Sequence, residues 1–82
     1  MKELDISKIQ AANTELLAVF STEDGEHVHT WEAHSGGITT ETCLLEAVCC
    51  TGLVKDGQKL HVNVYDDSKE DEVLITSGTL TA

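Results

Sequence analysis

The residue types able to do chemistry fall into a thiol and imidazole set and a carboxylate set. Four histidines (His27, His29, His34, His61) and three cysteines (Cys43, Cys49, Cys50) are metal ligands by type, and a thiolate is also a nucleophile. His27 and His29 are two apart, so on a strand they would share a face. Three His and a helical Cys would suffice for zinc, yet no Cys-x-x-Cys or His-x-x-x-His spacing ties them together. Cys43 and His34 have the parts of an activated thiol, with the pKa of Cys43 lowered near a helix start. No oxyanion donor or orienting third group can be assigned to them. The plainer expectation is hydrogen-bonded histidines at a sheet edge and cysteines acting as small core hydrophobes. No cofactor motif occurs, so neither a cofactor nor an enzyme is expected.

The carboxylates form two clusters. Glu23, Asp24 and Glu26 surround one turn, and Asp66, Asp67, Glu70, Asp71 and Glu72 crowd one loop. The second run has oxygen ligands of the kind calcium takes, but it lacks the glycine and the twelfth-position Glu of an EF-hand. It reads as a solvated loop that protects a sheet edge from aggregation. Fifteen Asp and Glu face five Lys and no Arg, for a net charge of −10. That balance excludes nucleic-acid binding through phosphates and disfavours anionic membranes. It also removes the guanidinium fork used on carboxylates and phosphates. What it favours is a basic protein surface as partner, beside the bland alternative of solubility alone. Carboxylates spaced along a loop-borne surface can imitate a row of phosphates and occupy a groove meant for nucleic acid. In size, acidity and lack of motifs the chain resembles the small proteins that phages use against host defence enzymes. That likeness of general profile implies an inhibitor or regulator of a nucleic-acid-handling protein. Trp31 and Tyr65, the large aromatics with polar handles, are candidate anchors for such an interface.

Those residues need elements to hold them. The 82 residues suffice for one domain, 1–82. Asp24-Gly25 predicts a two-residue hairpin turn, with Glu23 facing Glu26, Phe20 facing His29, Ala18 facing Trp31 and Leu16 facing Ala33. Leu16, Ala18, Phe20, Trp31 and Ala33 then make the core face. A competing helix from Ile9 to Phe20 also matches a 3.6 period, but Val19, Phe20 and the Asp-Gly turn favour strands. Leu4, Ile6 and Ile9 fit either a short helix, with Ser7-x-x-Gln10 as capping box, or an edge strand. Thr39 or Thr40 caps a helix expected over Glu41 to Thr51, with Gly52 at its left-handed end. Apolar residues nearly encircle that helix, so it should be buried on more than one side, by its own fold or by a second subunit. Lys59 to Tyr65 alternates as a strand, and Val73 to Leu80 is a last strand with Gly78 as a bulge.

The expected fold is α+β: β-β-α-β-β, a four-stranded, mostly antiparallel sheet with one helix on one face. If the second and third strands run parallel, the two acidic loops sit at opposite ends of it. Three clustered cysteines, an odd number, read as reduced and buried thiols. The longest apolar run, Leu16 to Phe20, cannot span a bilayer, and the opening residues lack a signal-like apolar stretch. A soluble, cytoplasmic protein is therefore expected. Besides acidic docking, two readings remain: a homo-oligomeric accessory protein joined through its apolar helix, and a His/Cys metal binder.

Overall fold

A computed structural model describes residues 4–68 and 72–82. In chain order these form α1 (Ile6–Ala12), β1 (Glu15–Thr22), β2 (His27–His34), a 3-10 turn (Ser35–Gly37), α2 (Glu41–Cys49), β3 (Lys59–Asp66) and β4 (Val73–Thr81). The strands make one antiparallel sheet in the order β2-β1-β3-β4. The buried residues of both helices join those of the sheet in a single cluster on one side. The α+β architecture is as expected, with one helix more than expected.

That extra helix is α1. Its cap is Asp5 rather than Ser7: the Asp5 carboxylate accepts the Lys8 N–H at 3.3 Å. The Ser7 hydroxyl also donates to it, and the two bonds hold the Asp5 carboxyl below the usual carboxylate range. Asn13, in the left-handed region at φ 46, stops the helix. Ile9 is therefore helical, but the helix does not run on to Phe20. From Glu15 the apolar residues alternate, and Leu16, Ala18 and Phe20 are all buried by that alternation.

The β1–β2 register agrees with expectation over Glu15 to Phe20: Leu16 faces Ala33, Ala18 faces Trp31 and Phe20 faces His29. The turn differs. Thr22 O accepts the Gly25 N–H at 2.9 Å, and Thr22 N–H donates to Glu26 O at 2.8 Å. Glu23 and Asp24 are thus the central residues of the turn, and Thr22, not Glu23, faces Glu26. Gly25 follows at φ 90, where an L side chain is strained. This loop is one residue longer than the two-residue turn the Asp-Gly pair suggests. A bulge absorbs the difference: Ser21 pairs with His27 and Phe20 with His29, so Val28 is skipped.

In β3, Leu60, Val62 and Val64 are buried, matching the alternation in the sequence. The bulge of β4 lies at Ile75, which is skipped between the Val64–Thr76 and Tyr65–Leu74 pairs. Gly78 is not the bulge; it is buried opposite Val62. Helix α2 ends at Cys49, two residues short of Thr51, with Gly52 left-handed at φ 74. Leu44 and Val48, one turn apart, are its buried residues. Because each residue turns the helix by about 100°, Cys49 and Cys50 rotate away from that stripe, and both are exposed. The expectation of three buried thiols fails for these two. Cys43 and Leu45 pack half-buried against the core beside that stripe, and Glu41, Thr42 and Glu46 are exposed.

Candidate binding surface

β1 is antiparallel to both β2 and β3, so β2 and β3 run in the same direction. The two acidic loops therefore stand at opposite ends of the sheet. Strands of eight residues separate them by about 23 Å.

At the hairpin end, Glu23, Asp24 and Glu26 are all exposed. The Glu26 N–H is held by the Thr22 hydroxyl at 3.1 Å. Glu23 and Asp24 share an open depression with Thr22, Gly57, Gln58 and Lys59. Lys59 thus lines the same depression as Glu23 and Asp24, and Lys55 stands four residues before it in the adjoining turn.

At the other end the carboxylates are more numerous. Asp66 closes β3 and accepts the Ser68 N–H at 2.9 Å and the Ser68 hydroxyl at 2.6 Å. Asp67 donates its N–H to Glu15 O at 3.0 Å, extending the β1–β3 ladder by one step. Glu72 directly precedes β4. Glu15, Asp67 and Glu72 thus occupy the last row of three adjacent strands, spaced about 4.8 Å apart. Glu32, opposite Leu17, stands behind them on β2. Among the described residues, no lysine begins or ends a strand here. Glu70 and Asp71, part of the expected site, lie outside the described residues.

Glu15 and Glu32 are additions that sequence reasoning missed. Neither belongs to an acidic run. The β1–β3 pairing, which joins segments some fifty residues apart, brings Glu15 against Asp67.

The histidines do not converge. The Val28 bulge resets the alternation, so His27 and His29 take opposite faces. His27 Nε2 meets Thr30 Oγ1 at 2.7 Å, whereas the His29 ring stacks on Phe20 with centroids 6.3 Å apart. His34 Nδ1 accepts the Gly36 N–H at 3.0 Å and caps the 3-10 turn. His61 pairs across the sheet with Ser21. Among the described residues, no three His, Cys, Asp or Glu gather as they would to hold a metal ion. The shared face proposed for His27 and His29 is thus corrected.

Cys43 is half-buried in the first turn of α2. Hydrogen bonds from the backbone of Thr40 and Thr39, then from the Thr39 hydroxyl at 3.7 Å, lower its thiol from 9.0 to about 7. His34 Nδ1 accepts the Gly36 N–H, and the Cys43 sulfur meets the Thr39 and Thr40 hydroxyls, so the described hydrogen bonds do not couple His34 to Cys43. Trp31 packs, half-buried, against the core. Tyr65 stands on the opposite face, since its neighbours Val64 and Asp66 flank it in a strand whose buried residues are Leu60, Val62 and Val64.

No family model matches the chain, and neither curated proteins nor solved structures return a significant match. No described helix is long and apolar enough to cross a membrane.

Proposed function

We propose that this protein is a non-enzymatic binding protein whose acidic end docks on a basic surface of a partner protein. The surface meant is of the kind that handles nucleic acid, and docking blocks its phosphate-binding groove. The observation that carries this reading is the terminal row of Glu15, Asp67 and Glu72. It places carboxylates on three neighbouring strands, behind Asp66 and beside Glu32. The Asp67 to Glu15 ladder bond fixes the backbone that carries two of these groups. Opposite charge speeds encounter and selects cationic partners. The hairpin cluster plays the lesser part, because its three carboxylates sit around one turn and share a depression with Lys59. The three thiols, with no disulfide among them, suit action in a reducing cytoplasm, as an inhibitor or regulator of the phage anti-defence type.

The test begins with a pull-down from the native source, followed by kinetics with the captured, purified partner. Association should slow as salt rises from low to physiological ionic strength, and duplex nucleic acid should compete. The triple variant Glu15→Gln, Asp67→Asn, Glu72→Gln should slow association by about tenfold. Unchanged rates in that variant, or indifference to salt, would sink the reading.

A further inference from the structure

The helices cover one face of the sheet and leave the other open. Alternation puts Leu17 and Val19 on the open face, because Leu16, Ala18 and Phe20 are buried on the covered one. The pairing then writes out three cross-strand rows. Glu32, Leu17, Tyr65 and Leu74 form the first, nearest the acidic end. Thr30, Val19, Asn63 and Ser77 form the second. His27, Ser21, His61 and Thr79 form the third, at the hairpin end. The face is thus apolar where it meets the carboxylates and polar where it leaves them. Leu74, opposite Tyr65, is 51% exposed.

The charge around this row says what covers it. A second copy would bring another net charge of −10 against the first, whereas a cationic partner is attracted to it. Stable interfaces commonly have an apolar, aromatic centre inside a polar rim.

We propose that Leu17, Tyr65 and Leu74 are the apolar centre of the docking surface, rimmed by Glu32, Glu15, Asp67 and Glu72. The occupant is a partner protein segment that presents a small apolar anchor flanked by Lys or Arg. This rests on the acidic-docking reading above and adds to it the face used and the chemistry of the segment.

The experiment uses the full chain and two synthetic probes of equal length and charge: a helical-period Leu/Lys peptide and its Ser/Lys counterpart. The Leu/Lys peptide should bind about tenfold more tightly. Its amide shift changes should centre on Leu17, Val19, Tyr65 and Leu74. Leu74→Thr and Tyr65→Thr, both compatible with a strand, should each remove most of that difference while the amide spectrum stays dispersed. Leu53→Ser, at an exposed leucine outside the sheet, should remove none. Equal affinity for the two peptides, or shift changes confined to the loops or helices, would overturn the proposal. So would a dimer in sedimentation that Leu74→Thr dissociates, since a second copy would then own the face. The triple neutral variant of Glu15, Asp67 and Glu72 separates the two levels. If it weakens both peptides while they bind alike, this inference fails and acidic docking stands; if Ser/Lys binding is unaffected, acidic docking itself fails.

Discussion

At the hairpin end the chain reverses in three residues, with Gly25 at φ 90 and the Glu26 N–H tied to Thr22. At the opposite end three strands stop in one row, tied by the Asp67 to Glu15 ladder bond and by Ser35, whose hydroxyl accepts the Thr14 N–H at 3.0 Å. Both ends are acidic. One sets its carboxylates on a turn with Lys59 beside them, and the other sets them on strand ends next to the apolar row of the open face. The contrast teaches that charge counted along the chain does not rank binding surfaces. What ranks them is which elements carry the carboxylates, and what lies beside them.

The sharpest way to break the contrast is to remove what fastens each end. Phe20 packs near the hairpin, fully buried opposite Val62 and stacked on His29. Phe20→Ala should cost about 3–5 kcal/mol in denaturant unfolding, through lost burial and the cavity left behind. A cost near that of a surface substitution would mean the hairpin is not anchored by the core. Ser35 is fully buried and bonds Thr14 through both its backbone N–H and its hydroxyl. Ser35→Ala leaves the Thr14 N–H without that acceptor and should cost about 1–3 kcal/mol. Ser35→Thr, which retains the hydroxyl, sharpens the assignment if it recovers part of the loss.

Gly25 faces open space, so Gly25→Ala meets strain and no clash. A loss of about 1–2 kcal/mol is expected, with docking unchanged if the hairpin end is structural. Glu23→Gln with Glu26→Gln should likewise alter partner association by less than about twofold, because exposed charges next to a lysine contribute little. A slowing equal to that of the strand-end variant would erase the difference between the ends.

The smallest effect is at Cys43, off both ends. Its thiol is lowered from 9.0 to about 7, so alkylation by iodoacetamide should rise as pH passes from 6 to 8. The folded pKa lies below the unfolded one. The associated stability is therefore full above pH 9 and is lost as pH falls through 7. Thr39→Val removes one hydroxyl donor and should move the labelling midpoint upward. Cys49 and Cys50, being exposed, should label in the native protein without unfolding. Slow labelling of that pair would restore the buried-helix expectation.

Much of the fold was legible in the residues. The β1–β2 register over Glu15 to Phe20, the start of α2 at Glu41 and the alternation of β3 all follow from local periodicity and turn chemistry, which act over a few residues. Legibility failed where one residue more or less depended on distant packing. The bulges at Val28 and Ile75 reset strand alternation, sending His27 and His29 to opposite faces and putting Leu74 beside Tyr65. Cys49 and Cys50 turned outward because Leu44 and Val48, with Cys43 and Leu45 beside them, are the residues α2 turns to the core. The candidate site was half legible: Asp66, Asp67 and Glu72 stand out as a charge run, whereas Glu15, Glu32 and the open-face row do not. Charge and alternation are properties of the chain and can be counted along it. The order β2-β1-β3-β4 is a non-local choice, made by which apolar faces bury together, and it alone decided which acids share an end and which face stays uncovered.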